Sequence, residues 1–366
     1  AGHDGAVGGG RIQSVNVAQL LPALDGGGVE RGTLEVAREL VRRGHRSVVI
    51  SAGGRLAPEL AREGSEHLTW PLGSKSPLTL RWVRPLRRWL ADQRIDILHA
   101  RSRMPAWIGW LAWRGMNPAT RPRFVTTVHG LYSTSPYSAI MTRGERVIAV
   151  SETVRQYLQR HYPALPAERI QVIPRGVDPA VFPYGYRPSP NWLADWYRRY
   201  PQLRETPVLT LPGRLSRLKG HEDFIELIAR LRTGGLSVYG LIVGGVEPRR
   251  RRYADGLRET IRSRDLSDIV LFTGHRDDMR EIYAVSTLVL SLSSQPESFG
   301  RTVLEALGLG VPVIGYGHGG VGEILTRMYP AGLVPAGDPK MLTERVTKLL
   351  AAAPPVPAEP VFPLQR

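Results

Sequence analysis

The stretch Glu297-Ser-Phe-Gly-Arg-Thr-Val-Leu-Glu305 predicts a turn from a strand into a helix, with a carboxylate at each end. The apolar run at 287–292, directly before it, is typical of a buried parallel strand. Apolar residues recur at helical spacing after Gly300, which indicates that a helix follows. We therefore expect Glu297 in the loop and Glu305 about one turn into the helix.

The backbone of this turn is a candidate phosphate site. The first turn of a helix has N–H groups without intrahelical partners and a partial positive charge, and both favour an anion. The two carboxylates can accept hydrogen bonds from sugar hydroxyls. The amides at the expected N-terminus are those of Phe299, Gly300 and Arg301. An isolated pair of glutamates is also explained by a capped turn that binds nothing.

Strand and helix patterns alternate along the whole chain. The first series of predicted strands is 14–21, 46–50, 95–98, 124–128, 146–150 and 170–173, and the second is 208–211, 238–243, 269–273 and 288–290. Such alternation favours parallel sheets covered by helices, and two series favour two Rossmann-like domains that bind ligands outside the strands' carboxyl ends. We expect these domains at 1–185 and 208–350, with a connection at 186–207 and a Pro-rich tail at 351–366.

Two glycine-containing loops follow predicted strands. The loop Gly213-Arg-Leu-Ser-Arg-Leu-Lys-Gly220 carries Arg214 and Lys219, which can both reach a diphosphate, although a solvated basic loop is the alternative. Gly26-Gly27-Gly28 joins the first strand to the first helix, and glycine lets a backbone approach a ligand closely. This loop lacks the Gly-x-Gly-x-x-Gly dinucleotide pattern, so a tight turn and a phosphate loop are equally open.

His129 also follows a predicted strand, which ends at Val128. A single histidine is more often structural than a ligand, but its place at a strand end makes a functional role equally open. Asp178-Pro179 predicts a helix start, with Asp as the N-cap and Pro at the first position. Glu323 is expected at another helix start or in contact with a sugar.

Together these motifs resemble the nucleotide-sugar signature of retaining GT-B glycosyltransferases of family 4. The resemblance is strongest over residues 205–327 and traceable from 13 to 182. It implies an α/β fold of two Rossmann-like domains whose sheets face a central cleft. It also implies that a sugar moves from a nucleotide diphosphate sugar, UDP- or GDP-linked, to a hydroxyl acceptor with retention of configuration. Neither a cofactor nor a metal is expected.

The resemblance assigns roles by position. It implies that Glu297 contacts the donor sugar, that Glu305 contacts the ribose and that His129 contacts the transferred sugar. Arg214 and Lys219 hold the pyrophosphate in this interpretation, so the expected catalytic residues are Glu297, His129, Arg214 and Lys219. The remaining donor contacts that it implies are Gly27, Gly28, Arg276, Phe299, Gly300 and Arg301. The roles of Arg175, where many members have Asn, and of Glu30 stay open.

The net charge is +16, and most of the excess lies in the first half of the chain. Residues 1–190 carry 26 basic and 14 acidic side chains, and the remainder carries 23 and 19. The segment 80–90 predicts a helix with arginines on one face, and its other face is formed by Trp82, Val83, Leu86, Trp89 and Leu90. Such a helix lies on anionic lipid or packs its apolar face on its own sheet.

The composition restricts the cellular compartments in which the protein is expected to act. The chain has no cysteine, so disulfides are excluded, and no run approaches the roughly 20 apolar residues of a membrane-spanning helix. The polar start at 1–10 does not resemble a signal peptide. We therefore expect a cytoplasmic enzyme, with peripheral contact to the inner face of the cytoplasmic membrane. The chain also resembles bacterial enzymes of lipopolysaccharide and envelope-glycan synthesis, and this resemblance implies a glycan or lipid-linked acceptor of the bacterial envelope.

Two other functions are compatible with the pattern. A non-hydrolysing epimerase of the same fold also binds a nucleotide sugar but needs no acceptor. The basic charge alone would suit a nucleic-acid-binding protein, but the sequence contains no recognisable reading module or aromatic sheet motif, and nucleic acid is therefore not an expected partner.

Overall fold

The computed structural model describes residues 14–359, in two compact units. The first unit runs to Ala149 and includes Tyr157–Val172. The second unit consists of Val150–Gln156 and the chain from Ile173 onward. The predicted polar start at 1–10 lies outside the described residues.

The elements of the first half alternate between strand and helix. The strands are β1 Asn16–Leu20, β2 Arg46–Ser51, β3 Glu66–Thr69, β4 Ile97–Ala100, β5 Arg123–Val128, β6 Arg146–Ala149 and β7 Ile170–Val172. The helices are α1 Gly28–Arg42, α2 Ala57–Arg62, α3 Val83–Asp92, α4 Arg103–Arg114 and α5 Glu152–His161. A 3₁₀ helix, Pro77–Trp82, leads directly into α3.

The seven strands form one parallel sheet in the order β3-β2-β1-β4-β5-β6-β7. Its central strands are almost wholly buried, as expected for a parallel sheet with helices on both faces. The chain order reverses between β1 and β4. This reversal places the loops after β1 and β4 side by side at the carboxyl edge, the usual ligand position in such sheets.

The second half repeats this plan. Its strands are β8 Val208–Pro212, β9 Tyr239–Val243, β10 Val270–Gly274, β11 Leu288–Ser291, β12 Val313–Tyr316 and β13 Leu333–Val334. Its helices are α6 Pro190–Arg199, α7 His221–Thr233, α8 Arg251–Ser263, α9 Met279–Ala284, α10 Arg301–Gly308, α11 Gly319–Met328 and α12 Pro339–Ala352. The parallel sheet has the order β10-β9-β8-β11-β12-β13.

The reversal in this second sheet lies between β8 and β11, where Leu209 pairs with Leu288. The loop that follows β8 contains Arg214 and Lys219, and the loop that follows β11 contains Glu297. Parallel strands bring their carboxyl ends to one edge, so residues about 80 positions apart meet there.

The predicted α/β architecture of two parallel sheets is confirmed. The structure differs from the sequence prediction in three local features. The strands β3, β12 and β13 are short and were not predicted. Helix α6 lies inside the expected connection because Ser189 caps it and Pro190 is tolerated at its first position. Asp178 starts a turn rather than a helix, and its Oδ1 accepts from the N–H of Ala180 at 2.9 Å.

The predicted helix at 80–90 is a 3₁₀ turn followed by α3. Leu86 and Leu90 are buried, as its apolar face predicts. Trp82 and Trp89 are half-buried because both rings contact Trp70, at centroid distances of 5.2 and 6.2 Å. Among residues 14–359, no helix combines the length and the apolar character that crossing a bilayer requires.

Candidate functional site

Lys219 reaches Glu297 across the switch point of the second sheet. Its Nζ lies 2.7 Å from Glu297 Oε1. Gly220 makes this approach possible because its φ is +72° and a Cβ there would lie 1.9 Å from the carbonyl oxygen of Leu292, the residue directly after β11. The Lys219-Gly220 pair therefore docks one loop against the other.

Glu297 is held from several sides. Besides Lys219, its Oε1 accepts from the Ser293 hydroxyl, and its backbone carbonyl accepts from the N–H of Gly320 at 2.8 Å. Burial raises the pKa of the Glu297 carboxyl, but the Lys219 ammonium and the Ser293 hydroxyl lower it more, so the pKa lies below its ordinary value. Glu297 is therefore a carboxylate at neutral pH, and about a quarter of its side chain is exposed.

The loop after β11 is packed against the start of α11 through two glycines. A Cβ at Gly319, whose φ is +60°, would lie 2.6 Å from the carbonyl oxygen of Glu297. A Cβ at Gly320 would lie 2.2 Å from that of Phe299. His318, just before this pair, contacts the carbonyl oxygen of Ser293 through Nε2 at 2.8 Å. The position of Glu297 thus depends on close backbone packing.

Arg214 lies on the same loop as Lys219 but makes a different ion pair. Its Nη1 is 2.5 Å from Glu247 Oε1, and 76% of its side chain is exposed. The stem of Lys219 packs close to Gly213, where a Cβ would meet Lys219 Cδ at 3.3 Å. The predicted pair of cations is thus on one loop, with Lys219 directed to Glu297 and Arg214 to Glu247.

Glu305 lies inside α10, as predicted, and is only 14% exposed. Its Oε1 accepts from Arg301 Nε at 2.9 Å, and its Oε2 accepts from the hydroxyl of Tyr283 at 3.4 Å. Burial and the neighbouring carboxylate raise the pKa of Tyr283 well above its ordinary value, so this hydroxyl stays a donor.

The N-terminus of α10 lies where the sequence predicts it. The helix begins at Arg301, and Gly300 before it has φ +112°, a conformation that side chains rarely adopt. A Cβ at Gly300 would also lie 2.9 Å from Val321 Cγ2. Phe299 is buried beside it, so the turn is fixed by packing.

Arg276 follows β10 and is engaged within the second unit. Its Nε donates to Asp278 Oδ1 at 2.8 Å, and its guanidinium lies 5.6 Å from the ring centre of Trp196. Asp278 Oδ2 also accepts from Trp192 Nε1 at 2.8 Å. These contacts connect the loop after β10 to α6. The contact of Arg276 with a nucleotide base stays a prediction.

Glu323 is an interior residue of α11, not a helix start. Its Oε2 accepts from the N–H of Glu152 at 3.0 Å, and its Oε1 accepts from the N–H and the hydroxyl of Thr153. These groups form the first turn of α5, and residues 152–156 of that helix belong to the second unit. Glu323 therefore caps α5, a role that has no local sequence signal because the partners are 170 residues apart.

In the first unit, the glycine loop and His129 lie at the carboxyl edge of the sheet. Gly26 has φ +136°, Gly27 is the N-cap of α1, and α1 begins at Gly28. The N–H of His129 donates to the hydroxyl of Tyr132 at 3.3 Å. The glycine loop follows β1 and His129 follows β5, both strands of the first sheet, as predicted.

A buried polar network under this edge was not predicted. Arg101 is 4% exposed, and its Nη1 donates to Gln19 Oε1 at 3.0 Å. His99 Nε2 and Thr127 Oγ1 are 2.6 Å apart. Burial, together with Arg101, lowers the pKa of His99 well below its ordinary value, so His99 is neutral.

Sequence reasoning also missed residues that position the predicted ones in the second unit. They are Glu247, Tyr283, Ser293 and His318. One signal was available, because Ser293 and His318 follow the apolar runs of β11 and β12 in the way that His129 follows β5. Glu247 and Tyr283 carry no such signal, since their contacts join separate elements.

Comparison with known proteins gives consistent matches. Residues 26–181 match the family model Glycosyltransferase Family 4, and residues 197–356 match Glycosyl transferases group 1. The chain is 25% identical over 349 residues to N-acetyl-alpha-D-glucosaminyl L-malate synthase of Bacillus anthracis, across 90% of this chain and 85% of that protein.

Solved structures agree with these matches. A glycosyltransferase from Rickettsia africae ESF-5 has a TM-score of 0.82 and 30% identity, with 92% of this chain and 88% of that chain covered. Anabaena HepE, in complex with UDP and glucose, has a TM-score of 0.78 and 21% identity, with 92% and 90% covered. The second likeness concerns the fold alone.

Two parallel α/β sheets in series, with charged loops at the switch point of the second, define a glycosyltransferase of the GT-B fold. The chain belongs to glycosyltransferase family 4, and its second half is a group 1 glycosyltransferase module.

Proposed function

We propose that this enzyme transfers a sugar from a nucleotide diphosphate sugar to a hydroxyl acceptor, with retention of the anomeric configuration. The observation that carries the proposal is the Lys219–Glu297 pair, 2.7 Å apart beside the N-terminus of α10. A cation and helix amides suit a diphosphate, and a carboxylate suits sugar hydroxyls. These three features meet at one switch point.

The donor's parts then map onto the second unit. The pyrophosphate lies against Lys219, Arg214 and the amides of Phe299, Gly300 and Arg301. The sugar hydroxyls donate to Glu297, and the ribose hydroxyls donate to Glu305. Arg276 lies toward the base, and the family resemblance adds His129, Gly27 and Gly28 of the first unit. Both UDP- and GDP-linked donors suit these contacts, because none of the contacts distinguishes uracil from guanine.

Charge develops on the leaving diphosphate as the glycosidic bond breaks. In this proposal Lys219, Arg214 and the α10 amides stabilise that charge, a task that a bound divalent metal can also perform. We propose that transfer therefore needs no metal and no cofactor, and that the acceptor attacks from the face of the departing phosphate. Undiminished turnover in EDTA is expected, and product NMR with an α-linked donor should show an α-linked product.

The donor assignment is tested with nucleotides alone. UDP and GDP, and their hexose conjugates, should raise the unfolding temperature in a saturable way, because a ligand that binds only the folded state stabilises it. Lys219→Met should abolish that rise, and Arg217→Ala, a change on the same loop, should not. A wild-type protein that no nucleotide stabilises would refute the proposal.

We propose a glycan or lipid-linked acceptor of the bacterial envelope, reached through transient contact with an anionic membrane. Leu78 and Leu80 support this idea, because 72% and 49% of these residues are exposed. Arg81, Arg84 and Arg88 are exposed in the same segment, and no acidic residue occurs between 67 and 91. Exposed leucines among arginines fit a lipid surface with anionic headgroups. The leucines, rather than Trp82 and Trp89, provide the exposed apolar surface.

A further inference from the structure

Four consecutive arginines lead into α8. This arginine segment, residues 249–252, follows the loop after β9, and α8 begins at its third residue. Within residues 14–359, only Arg250 of the four pairs with a carboxylate, and its Nε lies 3.1 Å from Glu247 Oε2. The other three, Arg249, Arg251 and Arg252, are exposed. The segment therefore presents positive charge to the solvent.

These exposed charges do not stabilise α8. Both acidic side chains of the helix pair with arginines later in the same helix. Asp255 has the spacing of an intrahelical partner for Arg251 and Arg252, but it pairs with Arg258, whose Nη1 is 2.9 Å from Asp255 Oδ1. Cations in the first turn also oppose the helix dipole. Helix stability thus gives no reason for the arginines at this position.

A shared carboxylate joins the arginine segment to the loop that follows β8. Glu247 pairs with Arg214 through Oε1 at 2.5 Å and with Arg250 through Oε2 at 3.1 Å. The loops after β8 and β9 also meet through their backbones, because the N–H of Leu215 donates to the carbonyl of Gly245 at 3.1 Å. The arginine segment is therefore held beside the loop of the proposed phosphate contacts.

A second contact connects that loop to α8 itself. The guanidinium of Arg217 lies 5.6 Å from the ring centre of Tyr253. Tyr253 directly follows Arg252 in the chain, and Arg217 is two residues before Lys219. The start of α8 and the loop after β8 thus touch at two places, the Glu247 carboxylate and the Tyr253 ring.

The charge of the second half of the chain is concentrated at these two loops. Residues 213–220 and 244–253 together carry seven basic side chains and one acidic side chain. The other residues of 191–366 carry 16 basic and 18 acidic side chains. A local positive region raises the concentration of anions near it and the rate at which they associate.

We infer that the arginine segment attracts the nucleotide diphosphate sugar and speeds its association with the site at Lys219. Both phosphates of such a donor carry negative charge, so it is attracted before any contact forms. Exposed charges at the rim of a site change the association rate and its salt dependence, whereas contacts inside the site change the dissociation rate. This inference rests on the proposed function, since it concerns the donor of that same transfer.

Stopped-flow binding of a fluorescent nucleotide, methylanthraniloyl-UDP, to the full-length protein tests the inference. At about 0.1 M salt, Arg251→Gln combined with Arg252→Gln should lower the association rate constant about 2- to 5-fold. The dissociation rate constant should stay the same. At about 1 M salt, where the Debye length is about 3 Å, the double variant and the wild type should associate at the same rate.

A matched control removes the same charge from the far ends of two helices. Arg232 and Arg262 lie in the last turns of α7 and α8, and Arg262 is about 16 Å along the helix from Arg251. This distance exceeds the Debye length of about 10 Å at 0.1 M salt. Arg232→Gln combined with Arg262→Gln should therefore leave the association rate constant nearly unchanged.

The outcomes separate this inference from the donor assignment. An unchanged association rate in the Arg251/Arg252 variant, or an equal decrease in the control, would overturn the inference while methylanthraniloyl-UDP still binds. A change confined to the dissociation rate would also overturn it, because that result indicates direct contact with the bound nucleotide. A wild-type protein that does not bind the nucleotide would refute the donor assignment itself. Circular dichroism shows that each variant is folded.

Vesicle sedimentation distinguishes the donor from a lipid surface as the anion that the arginine segment attracts. The contacts with the loop after β8 favour the donor. The Arg251/Arg252 variant should therefore sediment with anionic vesicles as the wild type does. Weaker sedimentation together with an unchanged association rate would show that the segment binds lipid, and would overturn the inference.

Discussion

Lys219 and Arg214 are five residues apart on one loop, but their surroundings differ. Lys219 is about one-third exposed and contacts a partly buried carboxylate, whereas Arg214 is mostly exposed and pairs with Glu247. Water screens an exposed charge, so its electrostatic contribution is smaller than that of a partly buried one. The two cations should therefore differ in their effect on catalysis.

We predict that Lys219→Ala lowers turnover by about 100- to 1,000-fold, the usual effect of removing one group that stabilises developing charge. Arg214→Ala should also lower turnover, but less. Steady-state kinetics with a UDP- or GDP-hexose measures both, with Arg217→Ala as the control on the same loop. Near-normal turnover in a folded Arg214→Ala enzyme would remove Arg214 from the phosphate site.

Glu297 and Glu305 should separate binding from catalysis. Glu305→Gln should mainly raise KM for the donor, because ribose contacts are alike in the ground and transition states. Glu297→Gln should mainly lower kcat, since the contact proposed for Glu297 is with the sugar at the reacting end. Donor kinetics of the two variants checks this split, and unchanged kinetics in both would contradict the site.

The sequence predicted the roles of single site residues only through their resemblance to family motifs. Glu305 and Glu297 lie where their spacing placed them, because a strand followed by a helix has few possible geometries. Their partners Tyr283 and Ser293 were not predicted, since those contacts depend on how separate elements pack. Asp178 shows the converse error, because a good capping pair does not ensure that a helix follows.

Among the secondary-structure elements, the loop between β8 and α7 depends on one glycine. Gly220 is left-handed and lies against the backbone of Leu292, so an added methyl group would meet both strain and a clash. Gly235, between α7 and β9, has a similar φ of +79°, but a Cβ there would meet nothing within 4 Å. Gly220 and Gly235 therefore share a left-handed conformation and differ in whether an added methyl group would clash.

We predict that Gly235→Ala lowers the free energy of unfolding by about 1 kcal/mol, the strain of a left-handed alanine. Gly220→Ala should cost more and should also raise donor KM, because Lys219 moves with the loop. Urea unfolding and donor kinetics measure both effects. Equal destabilisation of the two variants, with normal kinetics in Gly220→Ala, would show that the loop tolerates the displacement.

The elements themselves were predictable where hydrophobic runs are long. Strands such as β1 and β5 alternate with helices along the sequence, and that alternation is enough to predict parallel sheets. Short strands such as β13 were missed because two residues cannot show a period. Helix α6 was missed because its proline suggested a linker, although Pro190 occupies the first helical position.

For the molecule as a whole, the uneven charge is the main property that composition revealed. The first 190 residues carry most of the net +16, and the exposed leucines of the segment 77–82 lie among arginines of the same region. Each basic residue near an anionic surface contributes roughly 1 kcal/mol, so several give reversible attachment. The sequence could predict this attraction but not which apolar residues are exposed.

We predict that the enzyme sediments with vesicles of anionic lipid at low salt and is released at high salt, because ions screen the attraction. Replacing Leu78 and Leu80 by Ser should weaken binding at low salt, whereas replacing the half-buried Val83 by Ala should have little effect. Equal, negligible sedimentation with neutral and anionic vesicles would reject membrane contact and leave the glycosyltransferase assignment intact.

The ion pairs of the second unit also bear on how a donor enters. Lys219, Arg214 and Glu305 each hold an internal counter-ion, Glu297, Glu247 and Arg301 respectively. Binding of the proposed donor would then be an exchange reaction, in which a phosphate or a hydroxyl displaces or joins a partner already in place. For Lys219 and Glu305, which are partly or largely buried, this pairing avoids an isolated buried charge. We therefore expect the proposed donor to bind less tightly than the sum of its contacts would give, and we expect the nucleotide product to leave quickly.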